Sequence, residues 1–158
     1  MKKLLITSLF FAALVACNSS TQEGSEANES SEKNETTSTG NPSYDPNRGE
    51  GKFSSVDVRP TLDVTKADAG EKVYSVKCAS CHKLTEEKLV GPGWKGVTDR
   101  HTPEWILNFA TNTDAMINKD PKAQAMLEIC LVRMPNQNLS DDEARNVFEF
   151  MRKNDGVK

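Results

Sequence analysis

CASCH, residues 78–82, gathers two thiols and an imidazole, Cys78, Cys81 and His82, within five positions of a chain that has only two histidines. A C-x-x-C pair serves three chemistries: a redox disulfide, half of a zinc site, or covalent haem attachment. A structural zinc site takes four ligands, usually from two paired elements. This chain has no second C-x-x-C and no paired histidines, so only Cys130 or His101 could complete a set. A dithiol oxidoreductase places its C-x-x-C in a βαβ setting, and no segment here shows the sustained alternation of a strand. Haem attachment needs two thiols to add to the porphyrin vinyl groups and a neighbouring histidine to bind iron from one side. On a helix, positions i, i+3 and i+4 share a face, so CASCH contains that set. Export favours this reading, because haem of this kind is attached outside the cytoplasm.

The N-terminus reads as an export signal. Residues 1–17, MKKLLITSLFFAALVAC, start basic at Lys2 and Lys3 and then run apolar from Leu4 to Ala16. That run is shorter than the ~20 residues a spanning helix needs and suits the core of a secretory signal. Its end, Leu14-Val15-Ala16-Cys17, resembles a bacterial lipoprotein box, which implies that Cys17 is lipidated and becomes the mature N-terminus. Cys17 is then an anchor and not a redox thiol, and two or more acyl chains hold it stably.

Residues 18–50 form a Ser/Thr/Asn/Glu-rich linker. Within 18–40 the only hydrophobic residue is Ala27 and no aromatic occurs, so the segment cannot bury enough apolar area to offset its ordering entropy and reads as a disordered tether. Residues 51–66, with Pro60, Phe53, Val56, Val58 and Leu62, read as an extended segment on the surface of a domain that spans 67–158. The formal charge of −3 becomes −5 without Lys2 and Lys3, and −4 of it sits in 18–40. The domain is therefore close to neutral. No basic patch with interleaved aromatics appears, which argues against a nucleic-acid partner.

The domain's helices are marked by their caps. Asp68 is a plausible cap for a helix running to Lys77 and leading into CASCH. A glycine-rich loop follows at 91–96. Thr102-Pro103 and Asp120-Pro121 each read as a cap followed by proline at the first helical position. Ser140 with Glu143 is a capping box ahead of a helix whose apolar residues Ala144, Val147, Phe148, Phe150 and Met151 lie on one face. Met116 is expected in a loop, and Met126 and Met151 as core filler. The expected fold is small and all-α, with about four helices.

These residues together resemble a class I cytochrome c domain of bacterial type. The similarity covers roughly 66–155 and rests on CASCH, on Gly70 and Tyr74 in the helix before it, on GPGW at 91–94, and on MPNQNLSDDEARNVFEFM at 134–151. The resemblance implies one covalently bound haem c per chain, attached through Cys78 and Cys81, with His82 and Met134 as the axial iron ligands. It implies that Pro92 offers its carbonyl to His82, that Trp94 and Arg100 belong to the haem pocket near a propionate, and that Gly70 and Tyr74 cross Phe150. His101 reads as a surface residue or a propionate contact. Cys130, left unpaired, reads as a small buried hydrophobe.

A saturated iron leaves no position for substrate, so the expected role is one-electron transfer and not enzymatic turnover, although such a carrier can serve as a donor subunit. The partners implied are redox proteins, among them a quinol-oxidising complex, a terminal oxidase or a nitrogen-oxide reductase. Lys83, Lys88, Lys95, Lys119, Lys122 and Arg133 are candidates for a docking rim. The protein is expected to be a monomer held to a bacterial membrane by lipid, with its domain in the periplasm. Two alternatives are a haem-based ligand sensor in which Met134 dissociates, and a non-redox envelope lipoprotein.

Overall fold

The structure, a computed structural model, describes residues 44–158. The leader, Cys17 and the linker up to residue 43 lie outside the described residues. Six helices follow in chain order: α1 Val64–Lys77, α2 Val97–Arg100, α3 Pro103–Thr111, α4 Thr113–Lys119, α5 Pro121–Cys130 and α6 Asp141–Asp155. Among the described residues the only β-type pairing is an isolated bridge between His82 and Lys88. No described helix is long and apolar enough to cross a membrane.

Three of the four expected caps hold. The Thr102 side chain accepts from the Trp105 amide, Asp120 accepts from the Ala123 amide, and Ser140 with Glu143 makes the reciprocal capping box. The fourth is corrected. Helix α1 starts a turn earlier than expected, because Asp63 accepts from the Lys66 amide. Asp68 lies inside the helix and pairs with Lys153 of α6.

Two short helices escaped the sequence reading. Helix α4 begins directly after α3, and Asn112 closes one and opens the other without any side-chain cap. Its buried residues Thr113, Met116 and Ile117 stand at i, i+3 and i+4. Met116 is thus a fully buried helical residue and not a loop residue. Helix α2 is a single turn held from outside. Asp155 of α6 accepts hydrogen bonds from the Gly96 amide at 2.6 Å, the Thr98 amide at 2.9 Å and the Thr98 hydroxyl at 2.7 Å.

The crossing of α1 and α6 is the main helix–helix contact, with α3 also against α6 and α4 against α5. Small residues permit the crossing: α1 buries only Ala67 and Gly70. A Cβ on Gly70 would drive into the Asn146 carbonyl and reach 2.9 Å from Phe150 Cβ. Tyr74 meets Phe150 with ring centroids 5.4 Å apart, as the sequence led us to expect.

The chain before α1 is packed more deeply than a surface segment. Phe53 is buried, and the packed region begins before residue 51, where the linker was expected to end. Tyr44 donates its hydroxyl to Asp120, Lys122 Nζ reaches the Pro46 carbonyl at 2.9 Å, and Asn108 binds both the amide and the carbonyl of Phe53 at 2.9 Å. Further along, the buried Arg152 pairs with Glu149 at 2.8 Å and donates to the Arg59 carbonyl at 2.7 Å. We refer to residues 44–63 as the strap.

Candidate cofactor site

CASCH sits in a hydrogen-bonded turn just past the end of α1. The Cys78 and Ala79 amides bond the Tyr74 carbonyl, and the Cys81 and His82 amides bond the Cys78 carbonyl. A helix C-terminus is a poor place to ionise a thiol. Burial pushes the Cys78 thiol up to about 11, with Lys77 pulling the other way and Cys81 adding to the rise. A dithiol enzyme needs the opposite shift. The zinc reading fares no better: among the described residues no three His, Cys, Asp or Glu side chains gather into a metal-ion set.

His82 is held on several sides. Its Nδ1 lies 2.9 Å from the Pro92 carbonyl, as expected, so the proton belongs on Nδ1 and the lone pair on Nε2. Tyr74 donates its hydroxyl to the His82 carbonyl at 2.7 Å. Gly91 lies against the ring, where a Cβ would come 2.9 Å from both ring nitrogens. Trp94 is buried 5.6 Å from the imidazole and 4.9 Å from Tyr74, ring centre to ring centre. Burial is the larger influence on the imidazole and pushes it below its ordinary value, against the Pro92 carbonyl, so the neutral form that a metal requires is favoured.

Two adjoining cavities open beside this turn. They share His82, Pro92, Phe109, Met126 and Met134 as a common wall. The first adds Cys81, Ile117, Leu127 and Cys130; the second adds Cys78, Trp94, Arg100, His101 and Trp105. Each cavity therefore has one CASCH thiol, and the histidine and methionine border both. The mostly apolar lining, shared across both cavities, suits a largely apolar cofactor with a few polar groups. Haem fits that donor set: two thiols, a neutral imidazole fixed by a carbonyl, and a thioether.

Arg100 lines the second cavity, with its guanidinium on the carbonyls of Gly93 at 3.0 Å and Lys95 at 2.6 Å. His101 is more enclosed than a surface residue. It stacks on Trp105 at 4.0 Å with 12° between the rings, and its buried Nδ1 has no partner. Burial first, then Lys122 and Arg100, pushes this imidazole down to about 4 against the pull of Asp120. An unfolded chain takes up the proton near pH 6.5, so stability falls as pH drops from about 6.5 to about 4 and levels off below. Melting curves across that window should show a pH-dependent loss that is smaller in His101→Gln.

Cys130 is half-buried at the first cavity and is not the fully buried hydrophobe expected. Two exposed aliphatic side chains, Val90 and Val132, line the same cavity; Leu89, Ile129 and Leu131 close by in sequence are exposed as well, and Lys88 Nζ bridges the two segments through the Ile129 carbonyl at 3.1 Å. The lysines proposed as a docking rim are engaged internally. Lys83 pairs with Glu87, Lys119 with Glu50 and Arg133 with Asp114, while Lys95 and Lys122 bond the carbonyls of Asn154 and Pro46. Sequence reasoning missed the walls supplied by Phe109, Ile117, Met126 and Leu127. Their only signal was the apolar spacing of α3 to α5, which fits a plain core equally well.

The cytochrome c family model matches residues 67–155, more than half of the chain. A cytochrome c from Rhodothermus marinus is 28% identical with a TM-score of 0.64, and the match covers 66% of this chain and 90% of that one. An engineered form of that cytochrome, Rma TDE, matches with the same identity, coverage and TM-score. None of the curated proteins matches the sequence. The family match takes in CASCH and the helices that wall its cavities, and the chain belongs to the cytochrome c family, whose domains bind one covalently attached haem c and typically carry electrons.

Proposed function

We propose that this protein is a one-electron carrier whose haem is attached through Cys78 and Cys81 and ligated by His82 and Met134. The observation that carries the reading is that His82, fixed through Nδ1 by Pro92, and Met134 border both cavities, each of which has one CASCH thiol. When bound, haem supplies an iron that cycles between its ferric and ferrous states. The protein's own groups set the conditions. Pro92 strengthens the imidazole as a donor by accepting a hydrogen bond from its Nδ1–H, and Tyr74 fixes the backbone that carries it. Trp94, Phe109 and Met126 keep water out, and a methionine opposite the histidine raises the potential relative to histidine alone. Electrons leave for redox proteins of the cell envelope, such as a quinol-oxidising complex, a terminal oxidase or a nitrogen-oxide reductase. The aliphatic mouth around Cys81 supports a contact that is apolar and transient.

Two substitutions test this. Purified Met134→Ala should keep covalent haem but lose the weak far-red band of ferric methionine ligation, titrate at a lower potential, and bind carbon monoxide when reduced. The unaltered protein should show the band and bind none; binding by the unaltered protein would move the function to ligand sensing. Lipidation at Cys17, which tethers the domain on the periplasmic side of a bacterial membrane, predicts that Cys17→Ser moves nearly all of the protein into the soluble fraction. Unchanged membrane association in that variant contradicts the anchor.

A further inference from the structure

We propose that the strap is a clasp that keeps the iron closed to outside ligands by holding the α4–α5 wall of the cavity in place. The inference rests on the Met134 ligation proposed above, and it concerns a segment that precedes the family match at residue 67.

The same helices meet the strap with some residues and the cavity with their neighbours. Asn108 is fully buried and its side chain binds the strap at the Arg48 carbonyl and at both backbone groups of Phe53, all at 2.9 Å, while the next residue, Phe109, lines both cavities. Met116 receives the Glu50 amide on its sulfur at 3.0 Å, while the next residue, Ile117, lines the first cavity. Asp120, also fully buried, accepts from the Tyr44 hydroxyl and opens α5, whose Met126 and Leu127 face the haem cavity and whose end leads to Met134.

The strap fits too closely to be a passive cover. Gly49 has φ +63°, and a Cβ there would come 2.5 Å from Met116 Sδ; at Gly51 it would come 2.5 Å from Asn108 Cγ. Helices α4 and α5 pack mainly on each other, whereas α1 and α6 form the main crossing elsewhere. Lifting the strap uncovers Asn108, Met116 and Asp120 together and leaves this wall held by α3, by the Trp105 indole on Asp120 and by Arg133 on Asp114 and Asn118. Local opening of such a unit needs no global unfolding. With the wall loose, the Met134 side chain spends part of its time away from the iron.

The test uses the full-length holoprotein carrying Gly49→Val and Gly51→Val, which displace the strap without altering any cavity residue. Two rates are read: amide hydrogen exchange by helix, and carbon monoxide binding to the reduced protein. The expected result is at least tenfold faster exchange in α4 and α5 with α1 and α6 unchanged, and carbon monoxide binding accelerated by a similar factor. Faster exchange with unchanged carbon monoxide binding would reduce the strap to a stabilising element and overturn the proposal. Equal acceleration in all helices would overturn it as well. If the double variant does not fold, Tyr44→Phe removes a single strap bond and should give a smaller, parallel rise in both rates; a rise in neither counts against the clasp. Absence of the far-red band in the unaltered protein would instead defeat the ligation reading, which the exchange pattern does not depend on.

Discussion

Gly70→Ala should lower the stability of the domain by about 3 kcal/mol, and Gly70→Val should yield no folded protein. Helix propensity alone predicts the opposite sign, because alanine in a helix interior gains about 1 kcal/mol over glycine. The close crossing decides the outcome. The new Cβ would overlap the Asn146 carbonyl, a backbone group of α6 that cannot rotate away, and would press on Phe150. Overpacking of this kind costs roughly 1–3 kcal/mol even where side chains can yield, and here the main helix pair must move apart, pulling Tyr74 from Phe150 and from the His82 carbonyl that it holds. Urea titration of the alanine variant checks the sign, and a variant more stable than its parent would mean that α1 and α6 do not cross so closely.

Asp120→Ala is the second large effect, with an expected loss of about 3 kcal/mol, or a melting point lower by roughly 10–20 °C. The carboxylate is fully buried and accepts from three donors: the Tyr44 hydroxyl, the Trp105 indole at 3.0 Å and the Ala123 amide at 2.8 Å. Removing it leaves those donors without a partner, and each buried unsatisfied group costs about 1–3 kcal/mol. Burial, with Asp120 beside it, pushes the Tyr44 phenol well above its ordinary value, so it stays a donor through the neutral range. Asp120→Asn keeps an acceptor and should recover part of the loss. Calorimetry of the parent and the two variants ranks them, and alanine equal to asparagine would mean that the three donors find other partners.

Much of the site was legible because its chemistry is local. CASCH occupies five positions, and the caps at Thr102, Asp120 and Ser140 each lie within three residues of the amide they receive. The Pro92 carbonyl, ten residues from His82, came only through family resemblance, since nothing in the spacing points to it. What stayed hidden depends on distant partners. The strap is fixed by Asn108, Met116 and Asp120, which lie more than fifty residues further on, and no local pattern marks an asparagine as an anchor. Helix α4 lacks a side-chain cap, so its start carried no signal. The pairing of the basic residues was hidden in the same way: Lys83 pairs with Glu87 four residues on, but Lys95 and Lys122 bond carbonyls far along the chain.

The three hydrogen bonds that Asp155 accepts from Gly96 and Thr98 also impose an order in time. A chain threaded out of the cytoplasm N-terminus first delivers CASCH before it delivers α6, and until α6 follows, the loop that carries Pro92 lacks the Asp155 contacts and α1 has no helix to cross. Haem attachment at these thiols would then meet a turn whose supports are not yet in place, and docking of the last helix would supply them.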